Sequence, residues 1–180
     1  MTPVLETARL ILRPLTIEDA PRTQLLFPHW EIVRHLAGYV PWPYPSDGAL
    51  SYYRDVALPA MERGEEWHWT LRLRNEPAEH VGAISLMRRG DNRGFWVGLP
   101  WQGRGLMSEA VVPVTDYWFN ELGMPTLRVP KAVGNQASRR ISEKTGMRVV
   151  GTEERQLVGG RMTVEIWETT AEEWRHFRRS

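Results

Sequence analysis

The 180-residue chain contains no cysteine, which excludes disulfides, thiolate metal centres, iron–sulfur clusters and cysteine nucleophiles together. Whatever chemistry it performs must draw on hydroxyls, histidines, carboxylates, backbone amides or a cofactor. Lysine is almost as scarce, since Lys131 and Lys144 are the only two among the 23 basic residues; the arginine bias fits a GC-rich genome and carries no mechanism. An excess of charge is also missing: 23 basic against 22 acidic residues leave a formal net charge of +1, so neither nucleic acid nor an anionic membrane is expected as a partner. No stretch approaches the roughly 18 apolar residues of a membrane span. Met1 to Arg13 lacks the basic, apolar and cleavage segments of an export signal, and a cytoplasmic location is expected. With 42% hydrophobic and 25% charged residues, the composition is that of a folded protein, and the length suits a single domain over residues 1–180. Nine tryptophans imply either core packing or an aromatic pocket.

The periodicity predicts a mixed order of strands and helices. Leu10 to Leu15 reads as a strand stopped by Pro14, and Thr16-Ile17-Glu18-Asp19 has capping-box spacing for a helix to about Phe27. Pro41-Trp42-Pro43-Tyr44-Pro45 is neither helix nor central strand and reads as an ordered aromatic loop. Ser46 or Asp47 caps a second helix to about Arg63, where Gly64 stops it. Strict alternation over Trp67–Arg74 marks a strand with Trp67, Trp69, Leu71 and Leu73 on one face and His68, Thr70, Arg72 and Arg74 on the other. Strands over Val81–Met87 and Phe95–Leu99 complete an antiparallel meander. A helix over Leu106–Leu122, a strand over Leu127–Val133, a helix over Asn135–Lys144, two strands (Met147–Glu154 and Met162–Glu168) and a helix begun by Thr170 or Ala171 follow. The fold class is therefore α/β (α+β): a mixed, mostly antiparallel sheet of about seven strands with helices on both faces, and locally parallel strands where helices cross over.

Chemistry concentrates in two segments. In Gly98-Leu99-Pro100-Trp101-Gln102-Gly103-Arg104-Gly105-Leu106-Met107-Ser108 a strand ends and a glycine-punctuated turn opens into a helix, so converging N–H groups and the helix N-terminus favour a phosphate or pyrophosphate. A Gly-Lys-Ser/Thr nucleotide loop is excluded, because no lysine is near. A dinucleotide fingerprint fits poorly, with Ser108 where a third glycine belongs and Glu121 inside the helix. The second segment begins at Asn135, an N-cap, with Ser138 one turn later on the same side.

Gln102-Gly103-Arg104-Gly105-Leu106-Met107-Ser108-Glu109-Ala110, followed by Asn135-x-x-Ser138 and Glu143-Lys144-x-Gly146-Met147, resembles the GCN5-related N-acetyltransferase (GNAT) superfamily. Thr7-Ala8-Arg9-Leu10-Ile11-Leu12-Arg13-Pro14-Leu15-Thr16 is similar to the opening of its ribosomal-protein N-terminal (alanine) acetyltransferase branch. The resemblance implies the acyl-CoA N-acyltransferase fold, in which two strands splay to admit the pantetheine arm of acetyl-CoA, the co-substrate, with no metal. It implies that Trp96, Val97, Gly98 and Leu99 line the arm, that amides near Val97 and Gly98 hold the developing oxyanion, and that Gln102, Gly103, Arg104, Gly105, Leu106, Met107 and Ser108 hold the pyrophosphate. Met107 stands where the family most often has glycine or alanine. Asn135 and Ser138 would flank the thioester, with Ser138 serving the departing thiolate.

His68 is the candidate general base, with Glu66 and Glu109 as alternatives. His29, His35, His80 and His176 show no metal-ligand spacing. Trp30, Trp42, Tyr44 and Trp67 are candidate pocket residues, while Arg88, Arg89 and Arg93 read as solvated. The acceptor is expected to be a primary amine, with a protein or peptide N-terminal α-amine preferred to a polyamine, amino acid or antibiotic; a non-catalytic acyl-CoA-binding protein is the alternative, and either a monomer or a homodimer is compatible with the sequence.

Overall fold

The computed structural model describes all 180 residues. Two sheets form. In the first, β1 (Leu5–Glu6), β2 (Leu10–Pro14), β3 (Glu66–Leu73), β4 (Glu76–Met87) and β5 (Arg93–Val97) lie in sequence order; the second has the order β6 (Thr126–Ala132), β8 (Gly160–Thr170), β7 (Arg148–Leu157). The meander is present, with Trp69 opposite Ile84 and Ile84 opposite Phe95. Its limits differ from the periodicity. β4 starts at Glu76, ahead of the expected Val81, because register shifts at Leu71/Arg72 and Arg72/Leu73 loosen the ladder beside Pro77, where a missing N–H costs little. β5 ends at Val97, so Leu99 belongs to a tight turn, Leu99–Trp101. The crossovers do not pair parallel strands: β6 and β7 run the same way, but β8 lies between them and pairs antiparallel with both.

Helices follow the caps. Thr16 and Asp19 cap each other across the turn Ile17–Asp19, which leads into α1 (Ala20–Leu26). A short α2 (Trp30–Val33) was not legible in the sequence. The helix expected from residue 46 to 63 is α3 (Gly48–Tyr52), a wider turn Tyr53–Ala57, and α4 (Leu58–Glu62), ended by Gly64 at φ 67°. α5 (Leu106–Asp116) continues as a wider turn to Glu121, and α6 (Gln136–Lys144) and α7 (Ala171–Arg179) complete the chain. No helix is long and apolar enough to cross a membrane.

The main core lies where Trp67, Trp69 and Leu71 of β3, with Ile84 and Leu86 of β4, meet Val111, Val114 and Trp118. Trp67 is thus a core residue and not part of a pocket. Trp69, Trp118, Trp167 and Trp174 are buried as well, so packing accounts for most of the tryptophans.

Backbone hydrogen bonding joins the two sheets at one place. Asn92 N–H donates to the Arg128 carbonyl at 2.9 Å, and Arg128 N–H donates to Asn92 Oδ1 at 2.9 Å. Beyond that rung β5 and β6 part. Sequence supplies a reason: since Arg128 N–H faces β5 and Val133 N–H faces β8, donating to the Thr163 carbonyl, alternation along β6 turns the backbone of residue 130 toward β5. That residue is Pro130, which has no N–H to donate.

The opposite face of the meander is buried too, against α1 and the residues after α3. Asp19 accepts from Arg72 Nη2 at 2.6 Å, Thr23 Oγ1 meets His80 Nε2 at 2.8 Å, and Thr23 meets Tyr53 Oη at 2.6 Å. Desolvation lowers His80 to about 4, against the opposing pull of Asp19 and with help from Arg72 and Arg22. An unfolded histidine takes a proton near pH 6.5. The neutral folded form therefore contributes stability that is complete above about pH 6.5 and is lost as pH falls toward 4. Urea unfolding at pH 7.5 and 5.0 should show this loss, of the order of 2–3 kcal/mol at most, and His80→Gln should flatten the slope between the two pH values.

Candidate active site

β5 is the edge of its sheet, and its outward backbone forms one wall of the gap. Gly98 N–H donates to the Val81 carbonyl at 2.8 Å. This corrects the expectation that the Gly98 amide is free to hold an oxyanion. The ladder alternates, so Trp96 likewise turns its amide toward β4, whereas Phe95 and Val97 present theirs to the gap. The Val97 carbonyl accepts from Gln102 Nε2 at 3.0 Å, closing the end of the strand over the following loop.

The loop has the geometry its glycines implied. Gly103 and Gly105 adopt φ of 73° and 75°, left-handed values that side chains resist. A Cβ on Gly103 would meet nothing within 4 Å, so conformation and not crowding selects glycine there. None of the N–H groups from Gly103 through Ser108 donates to a protein acceptor. They converge at the start of α5, where the partial positive charge of the helix adds to them. Leu106 and Met107 are buried in the main core. The Met107 side chain therefore turns away from the loop, and its bulk leaves the amide cradle open.

Glu109 ties this loop down. Its carboxylate accepts from Thr7 Oγ1, from Arg9 N–H at 2.8 Å and from Arg9 Nε at 2.7 Å, while Arg9 Nη1 reaches the Arg104 carbonyl at 2.9 Å. Desolvation would raise the Glu109 carboxyl, but the hydrogen bonds from Thr7 and Arg9 and the Arg9 charge outweigh it and hold the group below the usual carboxylate range. A fully engaged carboxylate is a tether and not a base.

The opposite wall carries α6. Asn135 Oδ1 accepts from Ser138 N–H at 3.3 Å, fixing the first turn. Ser138 is buried, and its hydroxyl makes no hydrogen bond to another protein group. His68 is placed differently. It shares a row with Ser85 and Gly94, two strand spacings or about 10 Å from β5, and its Nε2 is 2.6 Å from Glu66 Oε2. The structure brings His68 and Glu66 together with the Tyr52 ring 6.3 Å away, but does not bring them to Val97 or Ser138. No group of three or more His, Asp or Glu side chains has the arrangement of a metal site.

Aromatic residues line the face of β5 away from α5. Trp96 packs edge-on against Phe27 at 5.5 Å, and Phe27 against Tyr44 at 5.2 Å, which joins the proline-rich loop to the strand. Trp30 and Trp42 pair at 5.7 Å and remain exposed. Arg93, read from sequence as solvated, is buried between the sheets, with Nη1 donating to Thr115 Oγ1 at 3.1 Å.

These features fit a coenzyme A thioester: open amides at a helix N-terminus for its pyrophosphate, and a strand edge with unpaired amides for its arm. Because Glu109 and Arg9 hold the loop in place, Glu109→Gln and Arg9→Ala should each weaken coenzyme A binding by roughly threefold to tenfold, the scale of one charge-assisted hydrogen bond. Calorimetric titration checks this, and the fold should survive both changes.

Comparison with known proteins agrees. Residues 9–148 match the acetyltransferase (GNAT) domain family. The uncharacterized N-acetyltransferase YoaA of Bacillus subtilis is 29% identical over 154 residues, covering 84% of this chain and 86% of the relative. The ribosomal-protein-S5-alanine acetyltransferase of Vibrio fischeri superposes with a TM-score of 0.79 at 14% identity, over 96% of this chain and 98% of the other. The spermidine N-acetyltransferase of Vibrio cholerae, solved with coenzyme A and spermine, superposes with a TM-score of 0.76 at 17% identity, over 93% and 99%. The glycine loop, the parted strands and the family match together make this chain a member of the GNAT acetyltransferases, which use acetyl-CoA as the acyl donor.

Proposed function

We propose that residues 1–180 act as a single acetyltransferase domain that carries an acetyl group from acetyl-CoA directly to the α-amine at a protein or peptide N-terminus. The observation that carries the reading is the open strand edge, where the amides of Phe95 and Val97 turn away from β4; Ser138, buried with an unpartnered hydroxyl in the first turn of the helix that follows β6, supports it. Acetyl-CoA supplies the acetyl group as a thioester. The pyrophosphate rests on the Gly103–Ser108 amides, with Gln102 and Arg104 beside them. Val97 N–H, fixed in the strand edge, donates to the carbonyl oxygen as negative charge builds there, without reorganising. Asn135 sets the first turn of α6, and the Ser138 hydroxyl donates a hydrogen bond to the departing thiolate, which stabilises it while solvent supplies its proton. The acceptor enters past Trp30, Trp42 and Tyr44, on the open side of β5.

An α-amine has a pKa near 8, against about 10.4 for lysine, so far more of it is neutral at pH 7 and it needs less help from a base. The Glu66–His68 pair takes up the proton through water, since neither group lies beside the gap. The cytoplasm is the expected compartment for such an acceptor. The Vibrio fischeri relative, named for an alanine of a ribosomal protein, supports the α-amine reading. The name of the Vibrio cholerae relative makes polyamines the natural competitor to include in a test.

Thiol release should be fastest with peptides bearing a free N-terminal amine, and slow with N-blocked, lysine-containing peptides and with spermidine; equal rates on spermidine would reverse the assignment. Ser138→Ala should lower kcat about 100-fold while leaving coenzyme A affinity unchanged, whereas an unchanged kcat would remove Ser138 from the reaction. His68→Gln should lower kcat roughly tenfold at pH 7 and recover activity as pH rises toward the amine pKa.

A further inference from the structure

Between the two sheets, where β5 and β6 part, two buried cations have no acid paired with them. Arg93, on β5, and Lys131, on β6, are both buried. Arg93 Nη1 and Nη2 reach Thr115 Oγ1 at 3.1 Å and Met147 Sδ at 3.7 Å, and its Nε has no partner. Lys131 takes part in no ion pair and no hydrogen bond through its side chain; its Nζ lies 4.3 Å from the centre of the Phe95 ring. It therefore spans from one wall of the gap to the other. Glu165, directly opposite on β8, is committed elsewhere: its two carboxylate oxygens bind Arg139 at 2.9 and 3.0 Å, and the Trp167 indole N–H donates to it at 3.2 Å.

Two buried, unneutralised cations at the same aromatic ring are expensive, the Arg93 guanidinium lying 6.0 Å from the centre of Phe95, and an arginine does not relinquish its proton. Burial, with the charge of Arg93, holds the Lys131 amine well below its usual value. A neutral amine is a nucleophile.

Resting on the proposed placement of the acyl donor between β5 and β6, we infer that Lys131 is itself an acyl acceptor, modified in the gap by the bound thioester. The Nζ lone pair forms the bond to the carbonyl carbon, the carbon–sulfur bond breaks, and the electron pair and the proton shed by nitrogen leave as the coenzyme A thiol. The product is Nε-acetyl-Lys131, a neutral amide that ends the repulsion with Arg93. An amide nitrogen is no longer nucleophilic, so the reaction stops at one acetyl group on this lysine.

The chain provides its own control, because its other lysine, Lys144, is exposed at the end of α6. The test incubates the full chain with acetyl-CoA and no added amine, follows intact mass, and locates the acetyl group by peptide mapping, with a parallel calorimetric titration of desulfo-CoA. We expect one acetyl group at Lys131, gained at least about tenfold faster than at Lys144 and suppressed by excess desulfo-CoA. Lys131→Arg should remain unmodified while still binding desulfo-CoA. If desulfo-CoA binds but Lys131 stays unmodified, or reacts no faster than Lys144, the inference is overturned and the proposed function stands. If no coenzyme A species binds, both fall together.

Discussion

One rung of hydrogen bonding, between Asn92 and Arg128, joins the two sheets, and the site exists because no second rung follows it. A strand edge inside a protein normally finds a partner, since buried amides left open are costly. Here the next backbone position of β6 that faces β5 is Pro130, which cannot donate, and the strands separate. The amides of Phe95 and Val97 are left facing the gap, ready for the acceptor groups of an extended ligand. The ladder that opens this edge also commits the neighbouring amides, which is why Gly98, bound to the Val81 carbonyl, takes no part.

The phosphate end and the reacting end obey different physics. At the loop, positive φ at Gly103 and Gly105 aims successive N–H groups outward at the helix N-terminus, and Glu109 braces the loop from behind through Thr7 and Arg9. That carboxylate is three residues into α5, where it also complements the helix dipole, so one group serves both stability and site geometry. At the other end the surroundings are apolar and close. Arg93 and Lys131 are buried there with no ion pair to either side chain, and the Arg93 Nε has no hydrogen-bond partner.

Much of this could be read in advance where local rules decide. The Thr16–Asp19 cap, the Asn135 cap, the stops at Gly64 and Gly123 and the alternating strand over Trp67–Leu73 follow from backbone preference and periodicity, and the structure keeps all of them. The readings that failed concern what lies across from a residue. Trp67 has the chemistry of a pocket residue, but the α5 face of β3 claims it for the core. Arg93 looked solvated beside Arg88 and Arg89, but it is the first residue of β5 and points into the space between sheets. His68 is a different case: it keeps its part in the proposed function, but at a remove the chain alone does not show, since β4 lies between β3 and β5. Lys131 drew attention only for its rarity, because nothing along the chain announces which residue will face it.

The amino-acid sequence by itself determined the elements, their caps and the glycine loop, because φ preferences, side-chain hydrogen bonds to nearby amides and periodicity act within a few residues. The tertiary structure alone decided that β5 and β6 part beyond Asn92, which amides face the gap, and that Lys131 lies over Phe95 while Glu165, opposite it on β8, is already paired with Arg139. Those outcomes depend on which distant strand occupies each edge and on whether a charge finds its counter-ion there, and both are settled only when the chain has closed on itself.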